Sequence, residues 1–215
     1  MLTFLLFFIF AICLLSFVTY ICYFKKNEIP HNIVVYSGSF DPLHIGHKAI
    51  IEEISEKYDW VYLIVTPQNP LKENMSSNID DRIKNVQDAI IRHELINVSV
   101  SSIEKDMLPP YYTIRTLDQL KKECPHCNLT LVIGADNLEK IREWKDYERI
   151  LSRYGVLVFS RGECDIEKLS EIKHNLLLEN DKYKIDINET IIPNISSTEI
   201  RKGLEKGYNV NHLLM

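Results

Sequence analysis

The residues best suited to chemistry stand in two short strings near opposite ends of the chain. Residues 35–47 read VYSGSFDPLHIGH, and residues 195–201 read ISSTEIR. In the first, an apolar run stops at Ser37, Gly38 and Ser39, small residues that let backbone N–H groups approach an anion closely. Gly46 and His47 then open a stretch with helical spacing, and a helix N-terminus favours phosphate. His44 and His47 flank that point, where imidazoles can bind phosphate oxygens as neutral donors or as imidazolium. In the second string, Ser196, Ser197 and Thr198 put hydroxyls at a helix start, suited to capping it and to binding phosphate. Arg201 follows one turn later with a fork of donors for phosphate oxygens. Alone, each string has an ordinary structural reading, a surface histidine or a good N-cap. Together they describe two sides of a phosphate clamp.

A clamp built from both ends of the chain needs a scaffold that returns them to one edge, and the apolar spacing predicts one. Short apolar runs at 33–36, 60–65, 96–100, 129–133, 156–160 and 183–187 read as strands. Helical spacing at 46–58, 80–94, 113–123, 137–151 (one or two helices), 165–178 and 197–206 separates them. Asp80 and Asp81 stand at one helix start, where acidic side chains suit the helix dipole. Such alternation implies an α/β fold: a Rossmann-like, doubly wound, mostly parallel sheet with helices on both faces. Ligands in these folds sit past the carboxyl ends of the strands, near the point where strand order reverses. Both strings fall just after strands.

The 215 residues, 46% hydrophobic and 26% charged, suffice for one such domain over residues 33–215, behind a linker at 25–32. The net charge of −5 argues against nucleic acid as a partner. Residues 1–24 carry no charged side chain and are long enough to cross a bilayer, so one N-terminal transmembrane helix is expected there. Lys25 and Lys26 would then keep the following domain on the cytoplasmic side, anchored to the membrane. The alternative is a wrongly assigned start, with true initiation near Ile33. The five cysteines do not suggest disulfides. Cys124-Pro125-His126-Cys127 closes a helix rather than opening one, the wrong context for a redox pair, and reads as a loop with incidental thiols.

The string from Gly38 to His47 resembles the (H/T)xGH signature of the nucleotidyltransferase superfamily, and Ile195 to Arg201 resembles its ISSTxxR. Three internal segments are similar to those of the nicotinate mononucleotide adenylyltransferases: Thr66-Pro67-Gln68-Asn69-Pro70-Leu71-Lys72, Tyr112-Thr113-Ile114-Arg115-Thr116-Leu117 (YTxDTL) and Leu131-Val132-Ile133-Gly134-Ala135-Asp136-Asn137-Leu138 followed by Trp144. The resemblance spans about residues 33–206. It departs at Ser37, where many relatives have Gly, and at Arg115, where YTxDTL has Asp.

The resemblance implies adenylyl transfer from ATP, with Mg²⁺, to nicotinate mononucleotide, giving deamido-NAD and pyrophosphate in NAD biosynthesis. It implies His44, His47 and Arg201 as the residues acting on the phosphates. Gly38, Ser39, Phe40, Gly46, Gly134, Asp136, Ser196, Ser197 and Thr198 would hold ATP, and Lys72, Thr113 and Trp144 the second substrate. No protein side chain is expected to ligate metal. Arg82 occupies a position where the family often has Arg, with a salt bridge to Asp80 or Asp81 as the plainer reading. The chain ends soon after the last motif, so that edge of the fold is expected to be open or completed by another copy in a homo-oligomer. Pantetheine-phosphate adenylyltransferases and cytidylyltransferases share the outer strings and are the alternative reading. A membrane-tethered module that binds nucleotide without turnover is a rival from another class.

Overall fold

The computed structural model describes residues 30–67, 78–161 and 166–215. By its contacts the chain divides into two units, Met1–Pro30 and His31–Met215, and every described element lies in the second. Six strands, β1 (Asn32–Gly38), β2 (Trp60–Val65), β3 (Val98–Ser101), β4 (Asn128–Gly134), β5 (Val156–Arg161) and β6 (Ile185–Ile192), form one sheet in the order β3-β2-β1-β4-β5-β6. Every neighbouring pair is parallel. This is the Rossmann-like arrangement expected. The order reverses between β1 and β4 at the centre of the sheet, which opens a crevice past their carboxyl ends.

The apolar runs become strands because both faces of the sheet are covered. Side chains alternate between the faces, so Val35, Ile64 and Leu131 enter one core while Val34, Leu63 and Val132 enter the other. Helices α1 (Ile45–Lys57) and α2 (Ile79–Arg92) supply Ile51, Ile54 and Val86 to the second core. Helix α3 (Thr113–Glu123) supplies Leu117, and α4 (Ala135–Glu139) supplies Leu138, to the first. Helix α6 (Ile166–Glu179) packs there through Leu169 and Leu176.

Several expectations need correction. The helical stretch foreseen at 137–151 is broken into α4, a 3₁₀ turn (Ile141–Glu143), the short α5 (Tyr147–Arg149) and a π turn (Ile150–Tyr154). Asp146 interrupts it in the left-handed region, at φ 53°, which an ordinary helix cannot accommodate. The last strand runs Ile185–Ile192, beyond the 183–187 foreseen, because pairing with β5 carries it past the apolar run. Cys124 and Cys127 are joined in a disulfide, contrary to expectation: the turn between α3 and β4 brings their Cα atoms to 5.4 Å, within bridging range. The transmembrane helix, with the membrane anchorage and anchored localisation built on it, is also corrected. Among the described residues no helix is long and apolar enough to cross a membrane, and residues 1–24 lie outside them.

Leu117 is fully buried under the sheet, so Leu117→Ala is expected to destabilise the fold by about 2–5 kcal/mol in urea unfolding. Ile91, 74% exposed, is the control: Ile91→Ala should stay within about 0.5 kcal/mol of the parent.

Candidate active site

The site begins where β1 ends. Gly38 is the last residue of that strand, and a Cβ there would lie 3.1 Å from the Phe40 ring. Phe40 is a buried residue at φ 46°, a conformation costly for a bulky side chain. It is locked there edge-on between two rings, with centroids 5.4 Å from Tyr36 and 5.1 Å from His47. The Phe40 side chain thus anchors the loop, and the loop backbone is left to meet a ligand.

Beyond the loop, His44 is the N-cap of α1. Its Nδ1 accepts from the Gly46 N–H at 3.2 Å, while the His44 N–H donates to His47 Nδ1 at 3.3 Å. This is a capping box made from two imidazoles. The rings are buried and stacked, with centroids 3.7 Å apart. A ring nitrogen that accepts carries no proton, so the geometry assigns both rings the tautomer with hydrogen on Nε2. Gly46 permits the fold-over: a Cβ there would lie 3.1 Å from the His44 ring and 3.3 Å from the Pro193 carbonyl oxygen.

The second string meets the first directly. Ser196 caps α7 (Ser197–Glu205) in a capping box with Glu199, and hydrogen bonds from Ser196 hold the Glu199 carboxyl below the usual range. Ser197 Oγ donates to the Pro42 carbonyl at 3.0 Å. Arg201 donates to the Asp41 carbonyl and, at 3.3 Å, to Thr198 Oγ1. Of the three hydroxyls foreseen as caps, one caps and two bind other partners.

Arg82 forms neither of the ion pairs that the plainer reading offered. On the first turn of α2 it is 2% exposed. Nη1 donates to the Ser39 and Thr66 carbonyls at 2.8 and 2.9 Å, and Nη2 to the Pro67 carbonyl at 3.2 Å. Burial draws its pKa down from the ordinary guanidinium range, opposed by the nearby Asp41 charge. The fork fastens the loop after β1 to the loop after β2. Lys72 lies outside the described residues.

A cavity of about 270 Å³ opens beside Gly38. Thr113, at the start of α3, and half-buried Trp144 line it together. Helix α3 opens without a side-chain cap, so its first N–H groups remain for a ligand. Gly134 ends β4, and a Cβ on it would lie 2.6 Å from Asp136 Oδ1. Asp136 itself is exposed, and its neighbour Asn137, not Asp136, lines the cavity. Arg115 donates to the Leu108 and Pro110 carbonyls at 2.8 and 2.7 Å, so the residue that departs from YTxDTL braces the loop leading to Tyr112.

Sequence reasoning missed Glu104. It lies on a 3₁₀ turn (Ile103–Asp106) after β3, is 2% exposed, and lines the same cavity. Charged neighbours Lys105 and Asp106 disguise it. The one available signal was its place just past a strand end.

A family model described as cytidylyltransferase-like matches residues 35–203. The chain is 32% identical over 184 residues to a probable nicotinate-nucleotide adenylyltransferase of Flavobacterium johnsoniae, covering 85% of this chain and 91% of the relative. It is 35% identical over 183 residues to one of Bacteroides fragilis, covering 84% and 85%. The chain belongs to the nicotinate-nucleotide adenylyltransferase family. Among solved structures, the nicotinic acid mononucleotide adenylyltransferase of Plasmodium falciparum complexed with NaAD shares the fold, with a TM-score of 0.67 at 22% identity over 84% of this chain and 87% of that one. In this family member the two strings close on each other through Ser197 with Pro42 and Arg201 with Asp41, pairs 155 and 160 residues apart.

Arg82→Lys tests the fastening between the loops. A lysine cannot reproduce the planar fork, so the variant should lose about 1–3 kcal/mol in urea unfolding, and its KM for ATP should rise.

Proposed function

We propose that this enzyme transfers the adenylyl group of ATP to nicotinate mononucleotide, releasing pyrophosphate and forming deamido-NAD. One observation carries the reading: Gly38 of the phosphate-type loop lines the same cavity as Thr113 and Trp144. Joining two mononucleotides end to end requires a phosphate cradle contiguous with a slot for a ring, and this arrangement supports both.

An oxygen of the mononucleotide phosphate attacks the α-phosphorus, and the bond to the β-phosphate breaks as pyrophosphate leaves. No protein nucleophile is needed, so catalysis rests on positioning and on stabilising charge. His44 and His47 offer Nε2–H donors, preorganised by the capping box, to the departing phosphates. The loop from Gly38 to Phe40, together with Gly46, gives those phosphates backbone room. Ser196, Ser197, Thr198 and Arg201 close from the other side, while Gly134 and Asp136 serve the adenosine. Trp144 stacks on the pyridine ring, and the uncapped start of α3 at Thr113 suits its carboxylate. Lys72 belongs to the phosphate side. Mg²⁺ enters with ATP as part of the substrate, held by phosphate oxygens and water. Among the described residues no group of three or more His, Cys, Asp or Glu could hold a metal ion.

The full chain should form deamido-NAD from ATP and nicotinate mononucleotide faster than it uses phosphopantetheine or CTP. The reverse order would overturn the assignment. His47→Asn tests the mechanism, because an asparagine carbonyl can replace Nδ1 in the capping box without supplying the Nε2 donor. It should bind ATP within a few-fold of the parent by calorimetry, yet turn over on the order of a hundredfold more slowly.

A further inference from the structure

The cavity that takes the pyridine end contains a carboxyl group with no assigned task. Glu104 accepts from Thr116 Oγ1 at 2.6 Å through Oε1, while Oε2 is buried with no hydrogen-bond partner of normal geometry. Among the described residues it forms no ion pair. Lys105, beside it on the same turn, is taken up by Asp80. A buried carboxyl on the wall of a ligand cavity, one of its oxygens without a hydrogen-bond partner, is expensive as an anion. It becomes more expensive when the ligand brings a carboxylate of its own, because two such groups in one site do not both ionise readily.

We infer that Glu104 is a specificity-determining residue, whose protonated Oε2 donates to the carboxylate on the pyridine ring, so that binding of the acid substrate carries one proton onto the enzyme. This rests on the reading of the cavity as the pyridine site. Burial already pushes the Glu104 carboxyl up from the usual carboxylate range, with the Thr116 and Thr66 hydroxyls opposing it. The other titratable groups lining the cavity are Tyr111, Tyr112, Glu143 and Lys145. Glu143 and Lys145 are exposed, where solvent screens them. The sign follows. The competent form is protonated, so affinity for the acid substrate is complete at low pH and falls as rising pH strips the proton from Glu104.

The test compares the parent full chain with Glu104→Gln, whose amide keeps an acceptor for Thr116 and has a donor at every pH. In the parent, KM for nicotinate mononucleotide should rise by about tenfold per pH unit once Glu104 ionises, and the slope should flatten in Glu104→Gln. Calorimetry of nicotinate mononucleotide binding, in buffers of different ionisation enthalpy, should register uptake of about one proton by the parent above that point and none by the variant. Identical pH profiles and proton counts in the two proteins would overturn the proposal and leave Glu104 a structural partner of Thr116. Should Glu104→Gln fail to fold, Thr116→Val removes the hydroxyl that stabilises the anion. It should move the rise in KM to higher pH, and an unmoved rise would overturn the proposal. A parent that forms no deamido-NAD at any pH would instead overturn the assigned reaction.

Discussion

The site depends on one buried cation whose hydrogen bonds, among the described residues, go to backbone carbonyls. Arg82 reaches from α2 to the carbonyls of Ser39, Thr66 and Pro67, and so ties together the loops that leave β1 and β2. Those loops could otherwise move apart, since among the described residues only the Thr66 N–H to Gly38 carbonyl bond, at 3.0 Å, continues the ladder past the strand ends. Hydrogen bonds from a charged donor in a desolvated place are among the stronger ones available. Their geometry is planar, so the fork fixes a direction as well as a distance. The Phe40 conformation and the reach of the His44 cap both presuppose that this loop is held.

From that point the closure of the site is a matter of shared backbone. Ser197 and Arg201 bind the carbonyls of Pro42 and Asp41, which belong to the turn that presents His44. The C-terminal residues join from another side, with Leu214 bridging His44 and the Met215 N–H donating to the Leu43 carbonyl at 3.4 Å. Two distant parts of the chain, residues 197–201 and 214–215, therefore converge on residues 41–44. A displacement at any of them is felt at the imidazole stack, because His44 both caps the helix and carries the ring on which His47 rests.

Much of this was legible in the sequence, for reasons that differ by level. The strands were legible because a parallel sheet covered on both faces demands continuous apolar runs, and 60–65 is one. The two strings were legible because small residues, imidazoles and hydroxyls after strands have few other uses in such numbers. What escaped depended on tertiary partners. Nothing near Arg82 in the sequence reveals three carbonyls contributed from other elements, and the acidic pair at 80–81 points the wrong way. Glu104 sits among Lys105 and Asp106, so local composition marks it as solvated, and its burial depends on tertiary neighbours, Thr116 of α3 and Thr66 after β2 among them. The break at Asp146 is a backbone event that apolar periodicity cannot register, since Ile141, Ile150, Leu151 and Tyr154 are all buried on either side of it.

The placement of charge explains how a chain with a net charge of −5 can present a site for polyanions. Net charge governs the far field, whereas affinity at a phosphate depends on donors a few ångströms away. Here the nearby cations spend their donors chiefly on carbonyls, which align them without cancelling their charge. The exception is the Asp41 carboxylate, which faces Arg201 at 3.9 Å and also bears on Arg82. It lies on the turn after β1, and its charge favours the ionised form of both guanidinium groups. A carboxylate shared between two arginines offsets one positive charge and leaves the other for the ligand. These charged groups gather around the loop after β1, while half-buried Trp144 lines the cavity beside Thr113. That division fits a reaction in which charge shifts at the phosphates and the ring is only held.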